Sequence, residues 1–403
     1  VTVLFDKKQR SGKKAGTKTA AGGLVRCAAL QDADQATHIP YRETTKEDAM
    51  QGWAVVENGK PLKEIEVPMP EPAGTQVLLR VTHCGVCHSD LYFQDGHYDL
   101  GGGKQLSLAA RGVKLPLIPG HEVVGEVVAI GPDAQGVALG QQSIVFPWAG
   151  CGNCNRCRAG DEQLCAAPRS LGIMRHGGYG SHVLVDRPEH LVAFGDIDPA
   201  LAATYACSGL TAYSAVHKLM PLPPGEAVVL MGAGGLGLAA ISILHAFGCG
   251  KVVVVDVSEE KLALARAAGA MAAVNGRGDN LADALRAAAG GPVAGVIDFV
   301  GSSETAQAGI EVLSKGGSYI PVGLYGGEIT LALPLIPLRA ISIRGSYTGN
   351  LAELKALVEL AQSGALTPMH VECMAHSAPN MALDRLRRGD AAGRLVLEAG
   401  RAP

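Results

Sequence analysis

Ala227-Val228-Val229-Leu230-Met231-Gly232-Ala233-Gly234-Gly235-Leu236-Gly237 reads as a short apolar strand running straight into a glycine-rich turn. An apolar-periodic helix follows to about Phe247, and then a second strand, Lys251 to Val255, closed by Asp256. Gly232, Gly234, Gly235 and Gly237 allow a tight turn and let a pyrophosphate approach the helix N-terminus, where free amides and the helix dipole favour negative charge. A glycine motif alone is a weak signal. Here the strand before it, the helix after it and an acid about twenty residues on supply the context of a dinucleotide site. Asp256 can accept both hydroxyls of an adenosine ribose, whereas a 2′-phosphate would meet like charge, and no Arg follows directly to relieve it. The expected cofactor is NAD rather than NADP.

Working outward, strands are expected at Gly295 to Val300, Ser318 to Val322 and Ile341 to Arg344, with helical stretches at Asp279 to Ala289 and Glu304 to Leu313. About six parallel strands result, a doubly wound α/β sheet. Upstream, from Gln51 to about Val192, the texture differs. Short alternating segments (Val77 to Val81, Val123 to Ile130, Ser143 to Phe146, Ser181 to Val185) are broken by Gly and Pro, the mark of a β-rich domain with long loops. A chain of 403 residues is long for one core, so two domains are expected. A net charge of −3 without long runs of one sign gives no reason to expect nucleic acid or an anionic membrane as partner. No apolar run approaches the ~20 residues that cross a bilayer, and no secretory signal pattern opens the chain; a cytoplasmic location is expected.

Residues 1–49 are basic, then polar, without sustained period, and are expected to be a disordered extension. Asp6, Asp32 and Asp34 count against an organellar import signal. Met50, just before the strand-like Gln51 to Glu57, is the expected start of the native protein.

The chain holds ten cysteines, better explained by metal ligation than by disulfides in this setting. Cys151, Cys154, Cys157 and Cys165 lie close along one loop and can wrap a tetrahedral zinc, leaving no position for water or substrate. An iron–sulfur run has a similar look, but the wide last gap and the absence of Pro after the fourth Cys disfavour it. A second group is dispersed: Cys84-Gly-Val-Cys87-His88-Ser89-Asp90, Gly120-His121-Glu122, and Cys207. Two thiolates and an imidazole would leave zinc one open position, as in a catalytic site. Spacing does not rank Cys84 against Cys87.

In one order along the chain stand Cys84 to Asp90, Gly120-His-Glu-x2-Gly125-x5-Gly131, the four-cysteine loop and the glycine motif. Together they resemble the zinc-dependent alcohol dehydrogenases of the medium-chain dehydrogenase/reductase superfamily, over about Met50 to Glu398. The resemblance implies a GroES-like β-rich catalytic domain over 50–200, a Rossmann NAD-binding domain over 201–345 and a return to the first domain over 346–403. It implies Cys87, His121 and Cys207 as ligands of a catalytic zinc, with Cys84 a packed residue. Glu122 matches a carboxylate behind the metal, and Asp90 the acid that orients the imidazole. Lys261 matches a ribose contact, Thr211 a side chain beneath the nicotinamide ring, Val322 and Gly323 the backbone against its amide, and Arg394 an arginine reaching the pyrophosphate.

The expected activity is hydride transfer between an alcohol and NAD, giving an aldehyde or ketone, with two zinc ions per chain. Ser89, two residues from a ligand, is the candidate first proton carrier, and His88 is expected near the pyrophosphate. Three departures from the family pattern stand out. Tyr92 occupies the position where relatives often place a terminal proton-carrying His; Gly96 to Lys114 is longer than usual, a lid or a disordered insertion; Trp148 lies near the relatives' pocket aromatic but closer to the structural cysteines. A polyol or other secondary-alcohol dehydrogenase is the alternative enzyme, and a nucleotide-binding protein with a vestigial site the alternative of another class. A zinc-ribbon nucleic-acid binder is disfavoured, because no basic stripe accompanies Arg156, Arg158 and Arg169. The strand-like Glu328 to Leu333 resembles the edge that pairs subunits, implying a homodimer or homotetramer.

Overall fold

The computed structural model describes residues 49–278 and 280–400. The expectations for the basic extension therefore lie outside the described residues, except that Ala49 already opens the first strand, Ala49–Ala54, two residues earlier than expected.

The glycine motif sits at the centre of a six-stranded parallel sheet. From one edge to the other its strands are Ala272–Asn275, Val252–Asp256, Ala227–Met231, Val293–Asp298, Ser318–Pro321 and Ser342–Ile343. The chain winds outward from Ala227–Met231 in one direction and then returns to build the other side, so the crevice for a ligand opens at the carboxyl end of that strand. Every residue of Ala227–Met231 is buried, which is why the strand reads as a continuous apolar run rather than an alternation. The helix Gly235–Ala246 follows; Gly234 gives it no side-chain cap, leaving its first amides free.

The second large sheet has seven strands. Val77–Gly85 is its hub, pairing antiparallel with Glu122–Ile130, His182–Val185 and Arg394–Glu398. Gln142–Val145 and Leu191–Val192 extend one side, and Val371–Ala375 flanks Arg394–Glu398 on the other. The register sets Cys84 opposite both Val123 and Leu397, so strands from early, middle and late sequence converge beside the dispersed cysteines.

Two segments take forms that alternation and length alone did not decide. Glu328 to Leu333 pairs with no strand among the described residues; Ser342–Ile343 takes the sheet edge. Gly326 and Gly327 at φ 110° and 145° break the backbone just before it, and Ser303 Oγ binds the Glu328 carbonyl at 3.0 Å. Gly96 to Lys114 is ordered: it forms a hairpin of His97–Asp99 with Gln105–Ser107 and a 3₁₀ turn at Ala109–Arg111. Among the described residues no helix is long and apolar enough to cross a membrane.

Candidate active site

Strand Val77–Gly85 delivers Cys87 to the N-cap of helix His88–Asp95. Cys87 Sγ faces the Asp90 amide, and Asp90 Oδ2 accepts from the Cys87 amide at 2.9 Å, a capping box that fixes both side chains. Asp90 is fully buried, accepting also from Tyr179 Oη at 3.0 Å and the Gly120 amide at 3.3 Å. Gly120 is required here: at φ 93° a Cβ would lie 2.5 Å from the Tyr179 ring and 2.8 Å from Cys84 Sγ. The turn it permits brings in His121, whose Nδ1 lies 3.4 Å from Asp90 Oδ1 and whose Nε2 is left to the cluster. Neither ring nitrogen has an aligned hydrogen bond, although the ring is completely buried.

Cys207 comes from a π-helical turn, Tyr205–Gly209, between helices Pro199–Thr204 and Leu210–His217. The extra residue in this turn re-aims the helix face, a device common at functional sites. One ligand atom each from Cys87, His121, Glu122 and Cys207 lie within 4.8 Å of one another, all four residues buried. Cys84 is also buried, but its sulfur packs toward Gly120 and Gly178 instead.

The electrostatics of this cluster call for a cation. The hydrogen bond from Cys207, and then His121, hold the Cys87 thiol well below its ordinary value, while that same bond and burial drive Cys207 well above it. Burial would depress His121, but Asp90 and Cys87 outweigh it and the ring is held well above its usual value. Burial raises Glu122 to about 7 against the opposing pull of Arg394. Its Oε2 accepts from Arg394 Nη2 at 2.5 Å and its Oε1 from the Ser208 amide at 3.2 Å. Two thiolates coexist here only with a metal between them, and a sulfur, sulfur and imidazole set with an orphaned ring nitrogen fits zinc.

The loop Cys151–Cys165 carries the second cluster, again with ligand atoms within 4.8 Å. Sulfur separations of 3.5 Å (Cys154 to Cys157), 3.8 Å (Cys154 to Cys165) and 4.0 Å (Cys151 to Cys157) match the edge of about 3.8 Å of a tetrahedral zinc tetrathiolate. Loop amides at Asn153 and Cys154 lower Cys151 to about 6, whereas burial, against the Gly152 amide, and then the neighbouring sulfurs raise Cys157 to about 12. Behind the loop, buried Glu162 accepts from the Gly150 amide at 2.9 Å and pairs with Arg187 and His190.

A cleft of about 1140 Å³ joins the mixed cluster to the glycine motif. Its lining includes Cys87, His88, Ser89, Cys207 and Thr211, the motif residues Gly232, Gly234, Gly235, Leu236 and Gly237, Asp256 and Lys261, and Val322, Gly323 and Arg394. Asp256 holds the glycine turn, Oδ2 accepting from the Ala233 amide at 2.8 Å and Oδ1 from the Ser258 amide at 3.0 Å, which leaves lone pairs for a ligand. The stem of Arg394 lies against Gly235, where any Cβ would overlap it, and its Nε is buried without a partner. Free helix amides, open glycines and an unused guanidinium N–H suit a pyrophosphate.

Residues 73–196 match the alcohol dehydrogenase GroES-like domain, and residues 235–363 match the zinc-binding dehydrogenase family. An NAD-dependent alcohol dehydrogenase of Sulfurisphaera tokodaii is 38% identical over 350 residues, 86% of this chain and 99% of that protein. The chain belongs to the zinc-dependent alcohol dehydrogenases. An alcohol dehydrogenase of Geobacillus stearothermophilus is 34% identical, with 86% of this chain and 98% of that one covered. The crystal structure of the Aeropyrum pernix alcohol dehydrogenase aligns with a TM-score of 0.79 at 32% identity, covering 86% of this chain and 99% of its own.

Several residues of this zinc dehydrogenase's site escaped sequence reasoning. Tyr179 and Ser208 support the mixed cluster, and Tyr98 and Tyr347 line the cleft beside it. Only Tyr179 carried a signal, its place among Gly177, Gly178 and Gly180. Trp148 also lines the cleft, its ring 5.3 Å from His121.

Proposed function

We propose that this protein interconverts an alcohol and its aldehyde or ketone with NAD, using one zinc held by Cys87, His121 and Cys207 and a second, structural zinc held by Cys151, Cys154, Cys157 and Cys165. The observation that carries this is the opening of the mixed cluster onto the same cleft as the glycine motif. When bound, zinc acidifies the alcohol hydroxyl and NAD takes up the hydride. Asp90 fixes the His121 ring, Glu122 stands behind the ligands, and Ser89 Oγ receives the substrate proton. Asp256 and Lys261 hold the adenosine ribose, Arg394 and His88 the pyrophosphate, and Thr211, Val322 and Gly323 the nicotinamide. The catalytic domain spans 50–200 with the return at 346–403, and the Rossmann domain spans 201–345.

The chain associates as a homodimer or homotetramer. Ile329, Leu333, Leu335, Leu338 and Ile343, all exposed large apolar side chains within one short segment, support this. Metal content with an alcohol panel tests the whole reading. Two zinc ions per chain and alcohol-dependent NADH absorbance are expected; NAD binding with one metal and no turnover would leave a vestigial site.

A further inference from the structure

Asp298 closes the strand Val293–Asp298 and is completely buried, its carboxylate held by four hydrogen-bond donors rather than by a cation. Oδ1 accepts from the Val300 and Gly301 amides at 2.9 and 2.8 Å. Oδ2 accepts from Thr305 Oγ1 and Tyr319 Oη, each at 2.7 Å. Burial, and then Asp298 itself, push the Tyr319 phenol well above its usual value, so that hydroxyl keeps its proton and stays a donor. A carboxylate buried without a counter-charge is costly unless its oxygens are well bonded, and here both oxygens are used twice.

These bonds join two loops that leave neighbouring strands at the same level, Asp298 lying opposite Pro321 in the register. The Asp298 carbonyl accepts from the Val322 and Gly323 amides, both at 2.9 Å, while its carboxylate holds the turn at Val300 and Gly301. The loops then touch backbone to backbone. A Cβ on Gly301 would lie 2.2 Å from the Gly323 carbonyl oxygen, and one on Gly323 2.2 Å from the Val300 carbonyl. The Tyr325 and Gly326 amides donate to the Val300 and Gly301 carbonyls, each at 3.1 Å. Thr305 extends the arrangement into the helix Ser303–Val312, its Oγ1 also accepting from the Ser302 amide at 3.1 Å. Phe299, Val300, Pro321, Val322 and Gly323 line the cleft, and Asp298 stands behind them.

We infer that Asp298 is a positioning residue for hydride transfer: from behind the cleft it sets the Val300–Gly301 and Val322–Gly323 backbones against which the nicotinamide lies. The inference rests on the placement of the nicotinamide at Val322 and Gly323 proposed above. Asp256 and the glycine turn serve the adenosine end separately, so Asp298 acts on one half of the dinucleotide alone. Its leverage is geometric, since a misplacement of about 1 Å between reacting groups costs on the order of 100-fold in rate.

The test compares binding of NADH with binding of ADP-ribose, which keeps the adenosine and pyrophosphate but lacks the nicotinamide, both by calorimetry on the zinc-loaded full chain. The variants are Asp298→Ala, Asp298→Asn, Thr305→Val and Tyr319→Phe. In Asp298→Ala the Kd for NADH should rise roughly tenfold and that for ADP-ribose less than about twofold, with kcat lowered roughly 10–100-fold and a larger isotope effect on deuterated alcohol. Asp298→Asn can keep an oxygen on the two amides and should recover NADH affinity to within about threefold of the parent protein. Thr305→Val and Tyr319→Phe each remove one donor and should fall between; they carry the test if the Ala variant does not fold. Equal weakening of NADH and ADP-ribose, as a merely structural role would give, or no weakening of either, would overturn the inference. Failure of the parent protein to bind NADH or to oxidise any alcohol would instead overturn the reading on which it rests.

Discussion

Replacing Asp90 with Asn changes one atom at a fully buried carboxylate that accepts three hydrogen bonds. Oδ2 carries the Cys87 amide and the Tyr179 hydroxyl; Oδ1 carries the Gly120 amide and faces His121 Nδ1. The less costly Asn rotamer keeps its oxygen on the first pair and turns its NH₂ toward Gly120 and His121. One buried donor is then unsatisfied, worth about 1–3 kcal/mol. The same NH₂ donates to Nδ1 and so favours the tautomer with hydrogen on Nε2, the nitrogen the cluster needs bare. Both effects fall on the mixed site, where loss of such a supporting partner weakens metal by roughly 10–100-fold, or about 1.4–2.8 kcal/mol. The assay is zinc release to a chromogenic chelator followed in time. The variant should lose one zinc per chain at lower chelator concentration while the four-cysteine zinc is released as in the parent protein. If both metals leave with unchanged profiles, the role given to Asp90 is wrong.

Ser89→Ala should lower kcat by ~100-fold with zinc content unchanged, since it removes a positioned proton carrier; turnover within a few-fold of the parent, measured by NADH absorbance, excludes Ser89. Asp256→Ser should raise kcat/KM with NADP relative to NAD by at least about tenfold, because the like charge facing a 2′-phosphate is gone. Glu162 is held down at about 2: burial opposes this, but His190 and the Gly150 amide prevail, with Arg187 adding to them. A depressed carboxylate contributes stability that is whole above its unfolded value near 4.5 and is lost as pH falls toward 2. Glu162→Gln should therefore lower Tm at pH 7, and thermal scans should show the gap to the parent protein narrowing below about pH 4.5.

The parallel sheet was legible because buried parallel strands are continuous apolar runs, and Ala227–Met231 was placed to the residue. Both metal clusters were legible as residue sets, since thiols and imidazole are few and their chemistry is narrow. Spacing could not rank Cys84 against Cys87; geometry separates them, because the capping box turns Cys87 toward His121 while Cys84 stays in the strand. The π-helical turn at Cys207 left no mark in sequence, as its cause is tertiary. Tyr98 and Tyr347 were invisible for the same reason, being brought together from a hairpin and a distant turn. Ile329, Leu331 and Leu333 alternate as a strand would, but alternation does not supply a partner, and among the described residues of one chain there is none.

Arg394 and Glu122 stand 272 positions apart in sequence and are joined by one ion pair. A ribosome makes Cys87, His121 and Cys207 long before it makes Arg394. Until Arg394–Glu398 emerges, Val77–Gly85 lacks its neighbour on that side and Glu122 has no counter-charge to accompany its burial. The entire nucleotide sheet must be synthesised in between, so Glu122 gains its partner only after that sheet has been made.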